Sequence, residues 1–290
     1  MEIRVRLAHG FIMSRRLTVG HTAITWPDAK VEDAVKCCAS LGFKAFETFG
    51  WVLAALEEQN RLDIFTKHGI PLVSSYFSLD IINPGVREAE MEKLTKWGRI
   101  LSENGGKWST FGGNGVPRKT FKLAEHKAYL AGFVQEAAKR LQEFGVGTNF
   151  HPHTGTPIET AAEIDEFFAS VDTDLIGFAP DVGQIQKGGA DPIDYLKKYL
   201  SITRLVHLKD YSGSVEFDAE GKEIDTSGFT CYSPLGQGVV KLPEMLDILE
   251  GSAFNGYIMV ELDIGRNMPM TAEEAATINR DYLAKQGYAF

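Results

Sequence analysis

Short stretches rich in β-branched and aromatic residues recur along the chain, and segments with a helical spacing of apolar residues separate them. These stretches predict eight strands, at residues 17–22, 45–49, 72–76, 108–111, 148–151, 176–180, 204–207 and 257–260. The segments between them predict amphipathic helices, for example at residues 31–41, 89–103, 125–144, 161–171, 242–249 and 271–285. A regular alternation of strand and helix predicts an α/β fold with a parallel sheet.

The number of strand–helix units decides between two common parallel-sheet folds. Eight units favour a closed (β/α)8 TIM barrel over an open, doubly wound sheet. A dinucleotide-binding sheet would place a Gly-x-Gly-x-x-Gly turn after its first strand, where this chain has Thr22-Ala23-Ile24-Thr25. Because no linker rich in Pro, Gly or Ser interrupts the pattern, we expect one TIM-barrel domain over residues 1–290.

The ends of the predicted helices carry residues that commonly start and stop helices. Gly42, Gly69 and Gly145 each follow a helical segment and precede a strand, where a left-handed C-terminal cap is expected. Thr271 is the predicted N-cap of the last helix, because Glu273 and Glu274 follow it in the first turn.

One connection, residues 210–238, is much longer than the others. It follows the seventh strand, so in a barrel it would lie over the mouth as a long βα loop. Long loops in compact domains often contact ligands, which makes a lid or a substrate contact one interpretation. A solvated excursion or a contact between subunits is the other.

Composition and charge disfavour several classes of protein. With 44% hydrophobic and 24% charged residues, the chain can bury a large core. A net charge of -9 disfavours a nucleic-acid partner, which needs clustered Lys and Arg. Residues 1–20 lack the apolar core of a signal peptide and no segment reaches about 18 apolar residues, so we expect a cytoplasmic protein with no membrane partner. The three cysteines, Cys37, Cys38 and Cys231, are too few for a disulfide framework and are expected to be structural.

Ionisable side chains stand where several predicted strands end. In a parallel barrel these strand ends converge on one mouth, where active sites are built. The side chains are those of Glu47, His151, His153, Asp181, His207, Lys209 and Glu261.

Four of these residues form a predicted site for one divalent metal ion. Alone, a His at a strand end is more often a hydrogen-bonded structural residue, and an Asp before a helix is more often its N-cap. Together, two imidazoles and two carboxylates at successive strand ends form a mixed nitrogen and oxygen site that leaves positions open for substrate oxygens. The predicted ligands are His151, Asp181, His207 and Glu261.

Three further residues are candidates for catalysis. His153 lies two residues beyond His151 and is the predicted general base for removing a proton from carbon. Glu47, across the barrel, is a candidate acid or base, a partner for substrate hydroxyls, or one half of a rim salt bridge. Lys209 is a candidate for binding a substrate oxygen or stabilising an enolate, and otherwise pairs with Asp210 or another rim carboxylate.

Five motifs resemble those of the xylose isomerase-like barrel superfamily, the sugar phosphate isomerase and epimerase group. Within it they are most similar to motifs of inosose dehydratases, which have a His-rich fifth strand followed by Gly-Thr. The resemblance covers residues 17–285. The motifs are Phe150-His151-Pro152-His153-Thr154-Gly155-Thr156, Asp181-Val182-Gly183-Gln184, Val206-His207-Leu208-Lys209-Asp210, Pro234-Leu235-Gly236-Gln237-Gly238 and Val260-Glu261-Leu262-Asp263.

The resemblance implies that the four predicted ligands hold manganese, with cobalt, zinc or magnesium as alternatives. Two departures from the family pattern matter. Many members have Glu where His151 stands, so a neutral ligand here lowers the negative charge at the metal. Many also have His where Gln184 stands, which removes the second titratable group that two-base epimerisation would use.

These residues predict a metal-dependent enzyme that removes a proton next to the carbonyl of a sugar or cyclitol. The expected outcome is loss of water, as in an inosose dehydratase. Isomerisation or epimerisation of a sugar, with or without a phosphate, and β-elimination of an oxidised glycoside share the same first step and remain alternatives. An abasic-site endonuclease is disfavoured by the acidic charge, and a non-catalytic or partner-dependent subunit and a homo-oligomer remain open.

Overall fold

Eight parallel strands form the wall of a nearly closed barrel in the computed structural model, which describes residues 15–290. The strands, β1 to β8 in chain order, are Thr18–Thr22, Phe46–Phe49, Leu72–Leu79, Trp108–Gly113, Gly147–Phe150, Ile176–Phe178, Leu205–Leu208 and Tyr257–Val260. The predicted TIM barrel is confirmed. Each strand lies where the sequence predicts it, with ends that differ by at most three residues.

The ring of strands closes between β6 and β7. Each of the other neighbouring pairs forms a parallel ladder, and β1 pairs with both β2 and β8. Two isolated bridges, Phe178 to Thr203 and Asp181 to His207, join β6 to β7. Since all eight strands run in the same direction, their carboxyl ends lie on one side of the barrel and their polar side chains meet there.

Ten α-helices lie among the described residues, and the six predicted helices are all present with slightly different ends. Helices α1 to α10 are Val31–Ser40, Gly50–Glu58, Ile64–Lys67, Arg87–Glu103, Leu123–Gln142, Ala161–Phe168, Val182–Lys187, Pro192–Tyr199, Leu242–Glu250 and Ala272–Lys285. The three glycines predicted to cap helices have φ of +87°, +71° and +70°. Thr271 caps α10 and forms a capping box with Glu274, as the sequence predicts.

The segment 210–238 folds into two short antiparallel pairs over the barrel mouth. Asp210–Tyr211 pairs with Tyr232–Ser233, and Glu216–Phe217 pairs with Glu223–Ile224. We call residues 216–224 the mouth hairpin. The carboxylate of Asp210 anchors the segment by accepting hydrogen bonds from four backbone N–H groups, those of Tyr211, Gly236, Gly238 and Val240.

Two expectations from the sequence concern membranes and cysteines. Across residues 15–290 the helices are too short or too polar to span a bilayer. The expectation of no signal peptide rests largely on residues 1–14, which lie outside the described residues. Cys37, Cys38 and Cys231 are free thiols, and burial raises the pKa of Cys37 to about 11, which agrees with a structural role.

Candidate metal and active site

His207, at the end of β7, lies at the centre of a buried group of ionisable side chains. Its Nε2 atom is 2.8 Å from Glu47 Oε1, and its Nδ1 atom is 2.5 Å from Glu261 Oε2. The two oxygens are close to the ring nitrogens, but neither contact has the alignment of a hydrogen bond. Ring nitrogens and carboxylate oxygens are also the ligand atoms that divalent metals take from proteins.

Two overlapping groups of potential ligands meet at His207. In each group the ligand atoms lie within 4.8 Å of one another. One group contains His151, Asp181 and His207, and the other contains Glu47, His207 and Glu261. The first group contains three of the predicted ligands, and the second contains the fourth, Glu261, together with Glu47.

A hydrogen bond and burial keep His151 in the neutral form, with a nitrogen available as a metal ligand. Its Nδ1 atom is 3.1 Å from the carbonyl oxygen of Ala179, and because a carbonyl can only accept, the proton lies on Nδ1 and the lone pair on Nε2. Burial, followed by the nearby charge of His207, holds the pKa of His151 well below its ordinary value. A neutral imidazole with a free lone pair is the form that binds metals.

Lys209 is fully buried, and its ammonium contacts three carboxylates. Its Nζ atom donates to Glu261 Oε1 at 2.6 Å and lies 2.9 Å from Asp181 Oδ2 and 2.8 Å from Asp263 Oδ2. Although burial opposes its charge, these carboxylates raise the pKa of Lys209 well above its ordinary value. The side chain thus holds two of the predicted ligands in place.

The balance of charge in this buried group favours an added cation. Among the described residues, this group contains four buried carboxylates and one ammonium. Asp181, Glu261 and Asp263 contact Lys209, and Glu47 contacts His207. Although burial opposes its charge, Glu261 and Glu47 raise the pKa of His207 well above its ordinary value. The group therefore takes up positive charge as a proton, and a divalent ion bound to His207 would replace that proton. These donors fit a divalent metal.

A cavity opens beside this group at the barrel mouth. Its lining includes the candidate ligands His151, His207 and Glu261 and the candidate catalytic residues Glu47 and His153. Aromatic side chains complete the wall, those of Phe49 and Tyr76.

His153 is held by hydrogen bonds at both ring nitrogens. Its Nδ1 atom lies 2.7 Å from the carbonyl oxygen of Thr154, so Nδ1 carries the proton. Its Nε2 atom lies 2.7 Å from the amide nitrogen of Gln184, which donates to it. The Gln184 oxygen accepts from the Thr154 hydroxyl at 2.6 Å, which fixes the orientation of the amide. Gln184 thus stabilises one tautomer of His153, with Nε2 as the basic atom.

Sequence reasoning missed three polar residues that surround these groups. Ser74 on β3 and Thr110 on β4 donate hydrogen bonds to Glu47 Oε2, at 2.5 Å and 2.7 Å. Asp263 follows Glu261 by two residues and contacts Lys209. Polar residues inside otherwise apolar strands are a signal that could have identified Ser74 and Thr110.

Comparison with known proteins gives a family match over most of the chain. The model of the family described as "Xylose isomerase-like TIM barrel" matches residues 35–286. The chain is 34% identical to an inosose dehydratase 2 of Bacillus cereus over 139 residues, and this match covers 46% of each chain. It is 26% identical to an inosose dehydratase of Geobacillus kaustophilus over 212 residues, which covers 68% of this chain and 69% of the relative.

Solved structures share the same barrel at low sequence identity. The probable 3-DHS dehydratase AsbF of Bacillus anthracis has a TM-score of 0.74 at 16% identity, covering 92% of this chain and 99% of that one. The IOLI protein with a bound zinc atom has a TM-score of 0.73 at 17% identity, covering 93% and 98%. The 3-keto-D-glucoside 4-epimerase YcjR of E. coli has a TM-score of 0.72 at 15% identity, covering 93% and 99%.

Proposed function

The chain belongs to the xylose isomerase-like TIM barrel family, and we propose that it is a metal-dependent dehydratase of a keto-cyclitol or keto-sugar. The observation that carries the proposal is the buried group around His207, in which the carboxylates outnumber the single ammonium. This group adjoins a cavity that is also lined by His153, the candidate base. The sequence relatives named inosose dehydratase support this class of substrate.

We assign the metal to His151, Asp181, His207 and Glu261, with Mn²⁺ as the expected ion and Co²⁺, Zn²⁺ and Mg²⁺ as alternatives. When bound, such an ion would polarise the substrate carbonyl and lower the energy of the enolate. Lys209 holds Asp181 and Glu261 in position through its ammonium, and these contacts favour the ion-pair role over contact with substrate. The enclosed site excludes water from the charged groups, which strengthens their effect on substrate.

His153 is the proposed base, and Nε2 is the atom that takes the proton from the α-carbon. This requires the Gln184 amide to yield its hydrogen bond when substrate enters the cavity. Ser74 and Thr110 donate to Oε2 of Glu47, and Glu47 lines the cavity, so its Oε1 is the oxygen that would accept from a substrate hydroxyl. Glu47 Oε1 is also close enough to His207 to join the metal ligands.

The loss of water needs no reactant other than the substrate, because His153 can carry the proton that moves during the reaction. The bond from the α-carbon to hydrogen breaks and its electron pair forms a double bond to the β-carbon. The bond from the β-carbon to oxygen breaks, and the departing hydroxide takes the proton that His153 removed from the α-carbon, so that it leaves as water and the base is regenerated. On a keto-cyclitol the α-carbon carries a hydroxyl, so the product is an enol that tautomerises to a diketone.

The test of this proposal is product analysis by NMR in deuterated water, with purified protein, Mn²⁺ and a keto-inositol. We expect a product that has lost one water, and His153→Asn should lower kcat at least about 100-fold because general bases commonly contribute that much. His126→Asn, which removes a histidine on α5 outside the cavity, is the matched control.

Two outcomes contradict the dehydratase. Deuterium at the α-carbon without loss of water would assign the chain to the isomerases or epimerases. Full activity after exhaustive removal of metal, checked by elemental analysis, would remove the metal from the proposal.

A further inference from the structure

A second cleft continues from the catalytic cavity, and the proposed reaction of a single keto-cyclitol ring does not use it. It has a volume of about 940 Å³ and lies beneath the mouth hairpin. His153 lines both spaces, so a molecule bound at the proposed base can extend directly into the cleft. Its other walls come from the loops after β4 and β5, through residues such as Pro117 and Gly155.

The mouth hairpin presents an aromatic side chain to this cleft. Phe217 pairs with Glu223 across the hairpin, so both side chains lie on the same face, and both line the cleft. Val215, two residues before Phe217, lies on that wall as well. Phe217 remains 63% exposed, so its ring is accessible to a bound molecule. Ile224 pairs with Glu216 and lies on the opposite face.

Arg118 and Lys187, two of the three cations that line the cleft, are paired with carboxylates. Arg118 contacts Glu159 at 3.1 Å and Glu163 at 2.7 Å. Lys187 contacts Glu223 at 2.5 Å, and its ammonium also lies 5.2 Å from the centre of the Tyr232 ring. Since these charges already have partners, the cleft is better suited to a neutral apolar group than to a phosphate.

We propose that this cleft binds an aromatic aglycone attached to the keto-sugar whose carbonyl lies in the catalytic cavity. The substrate would then be a keto-glycoside in which Phe217 stacks on or packs against the aglycone ring. This inference rests on the proposed function for the position of the keto-sugar. It adds a specificity-determining residue, Phe217, on an element that contributes nothing to the metal site.

Binding of glucosides without a ketone tests the subsite independently of turnover. Titration calorimetry would compare phenyl β-D-glucoside with methyl β-D-glucoside on the protein, with and without Mn²⁺. We expect the phenyl glucoside to bind about ten-fold more tightly, as one aromatic contact predicts. Phe217→Ala should reduce this preference to less than about three-fold. Ile224→Ala, which removes an exposed apolar side chain from the opposite face of the same hairpin, should keep it.

Equal binding of the two glucosides by the unmodified protein would overturn the subsite, and so would an equal loss of preference in both variants. Tighter binding of glucose 1-phosphate than of phenyl glucoside would also overturn it, in favour of an anion near Lys119. A preference for the phenyl glucoside that depends on Phe217, in a protein that turns over no keto-substrate, would support the subsite while contradicting the proposed reaction. The two proposals therefore fail separately.

Discussion

Among single residues, burial and neighbouring charges together decide the protonation state of each ionisable group. His151 and His207 both lie at strand ends in the same buried group, yet their pKa values are shifted in opposite directions. His151 bonds to a carbonyl and lies near the positive His207, so its neutral form is favoured. His207 lies between two carboxylates, so its charged form is favoured despite burial. Metal binding at His207 must release that proton, and affinity for the ion should therefore rise with pH.

His21 on β1 provides a test of burial outside the metal ligands. It is fully buried against Trp26 and Phe43, and its Nδ1 atom donates to the Thr22 carbonyl oxygen at 2.7 Å. Burial lowers its pKa from 6.5 to about 4. Between these values, as the pH falls, the unfolded chain gains a proton that the folded chain does not bind, so stability decreases.

We expect the His21→Phe variant to lose this part of the pH dependence. The unmodified protein should lose about 2 kcal/mol more of its free energy of unfolding than the variant between pH 7 and pH 5. Urea unfolding at the two pH values measures the difference. Equal losses would show that His21 is not kept neutral by the fold.

Among the larger elements, the segment 210–238 depends on one carboxylate. Asp210 is 1% exposed, and each of its two oxygens accepts two backbone N–H groups. These hydrogen bonds connect the residues just after β7 to residues 236–240, which precede α9. The mouth hairpin and its cleft are therefore positioned by a residue that contacts neither, because Asp210 fixes both ends of the connection.

Asp210→Asn is expected to loosen this segment, because the amide nitrogen would face N–H groups that now donate to an oxygen. Two buried donors without acceptors should cost about 2–4 kcal/mol of stability. Limited proteolysis should cut residues 212–235 faster than in the unmodified protein. The matched control is Asp218→Asn in the exposed turn of the hairpin, whose carboxylate also accepts backbone N–H groups. Equal proteolysis of the two variants would contradict the anchoring role.

Across the molecule as a whole, close packing of neighbouring strands shapes the barrel interior. A small cluster of Ala45, Val73, Leu205 and Met259 packs separately from the main core. A Cβ atom on Gly20 would lie 2.6 Å from the Ala45 carbonyl oxygen and 2.6 Å from Met259 Sδ. Because backbone cannot move aside easily, this glycine permits the close approach of β1 and its neighbours.

Gly20→Ala is expected to destabilise the barrel by about 1–3 kcal/mol through overpacking. Gly132 is the control, because it lies on an exposed face of α5 and a Cβ there meets nothing within 4 Å. Gly132→Ala should stabilise the protein by about 0.5–1 kcal/mol, since alanine has the higher helix propensity. Chemical denaturation should show changes of opposite sign in the free energy of unfolding of the two variants. An unchanged free energy of unfolding in Gly20→Ala would contradict the packing account.

The barrel, and the side of it on which polar residues meet, could be predicted from the amino-acid sequence. Strand and helix patterns are local, and eight parallel strands place residues such as His151, Asp181 and His207 at one end by topology alone. The family resemblance rests on the same strand ends. Predicted strand ends therefore differ little from those observed, and five of the seven candidate residues line one cavity.

The contacts among these side chains, in contrast, could not be predicted from the sequence, because the tertiary structure determines them. Glu47 could pair with several groups, and barrel closure brings its carboxylate to His207. Lys209 points among three carboxylates that follow β6 and β8, because the side-chain register of neighbouring strands places them around it. Such contacts join residues far apart in the chain, so local patterns cannot specify them. They depend on how strands are aligned and how side chains fill the space between them.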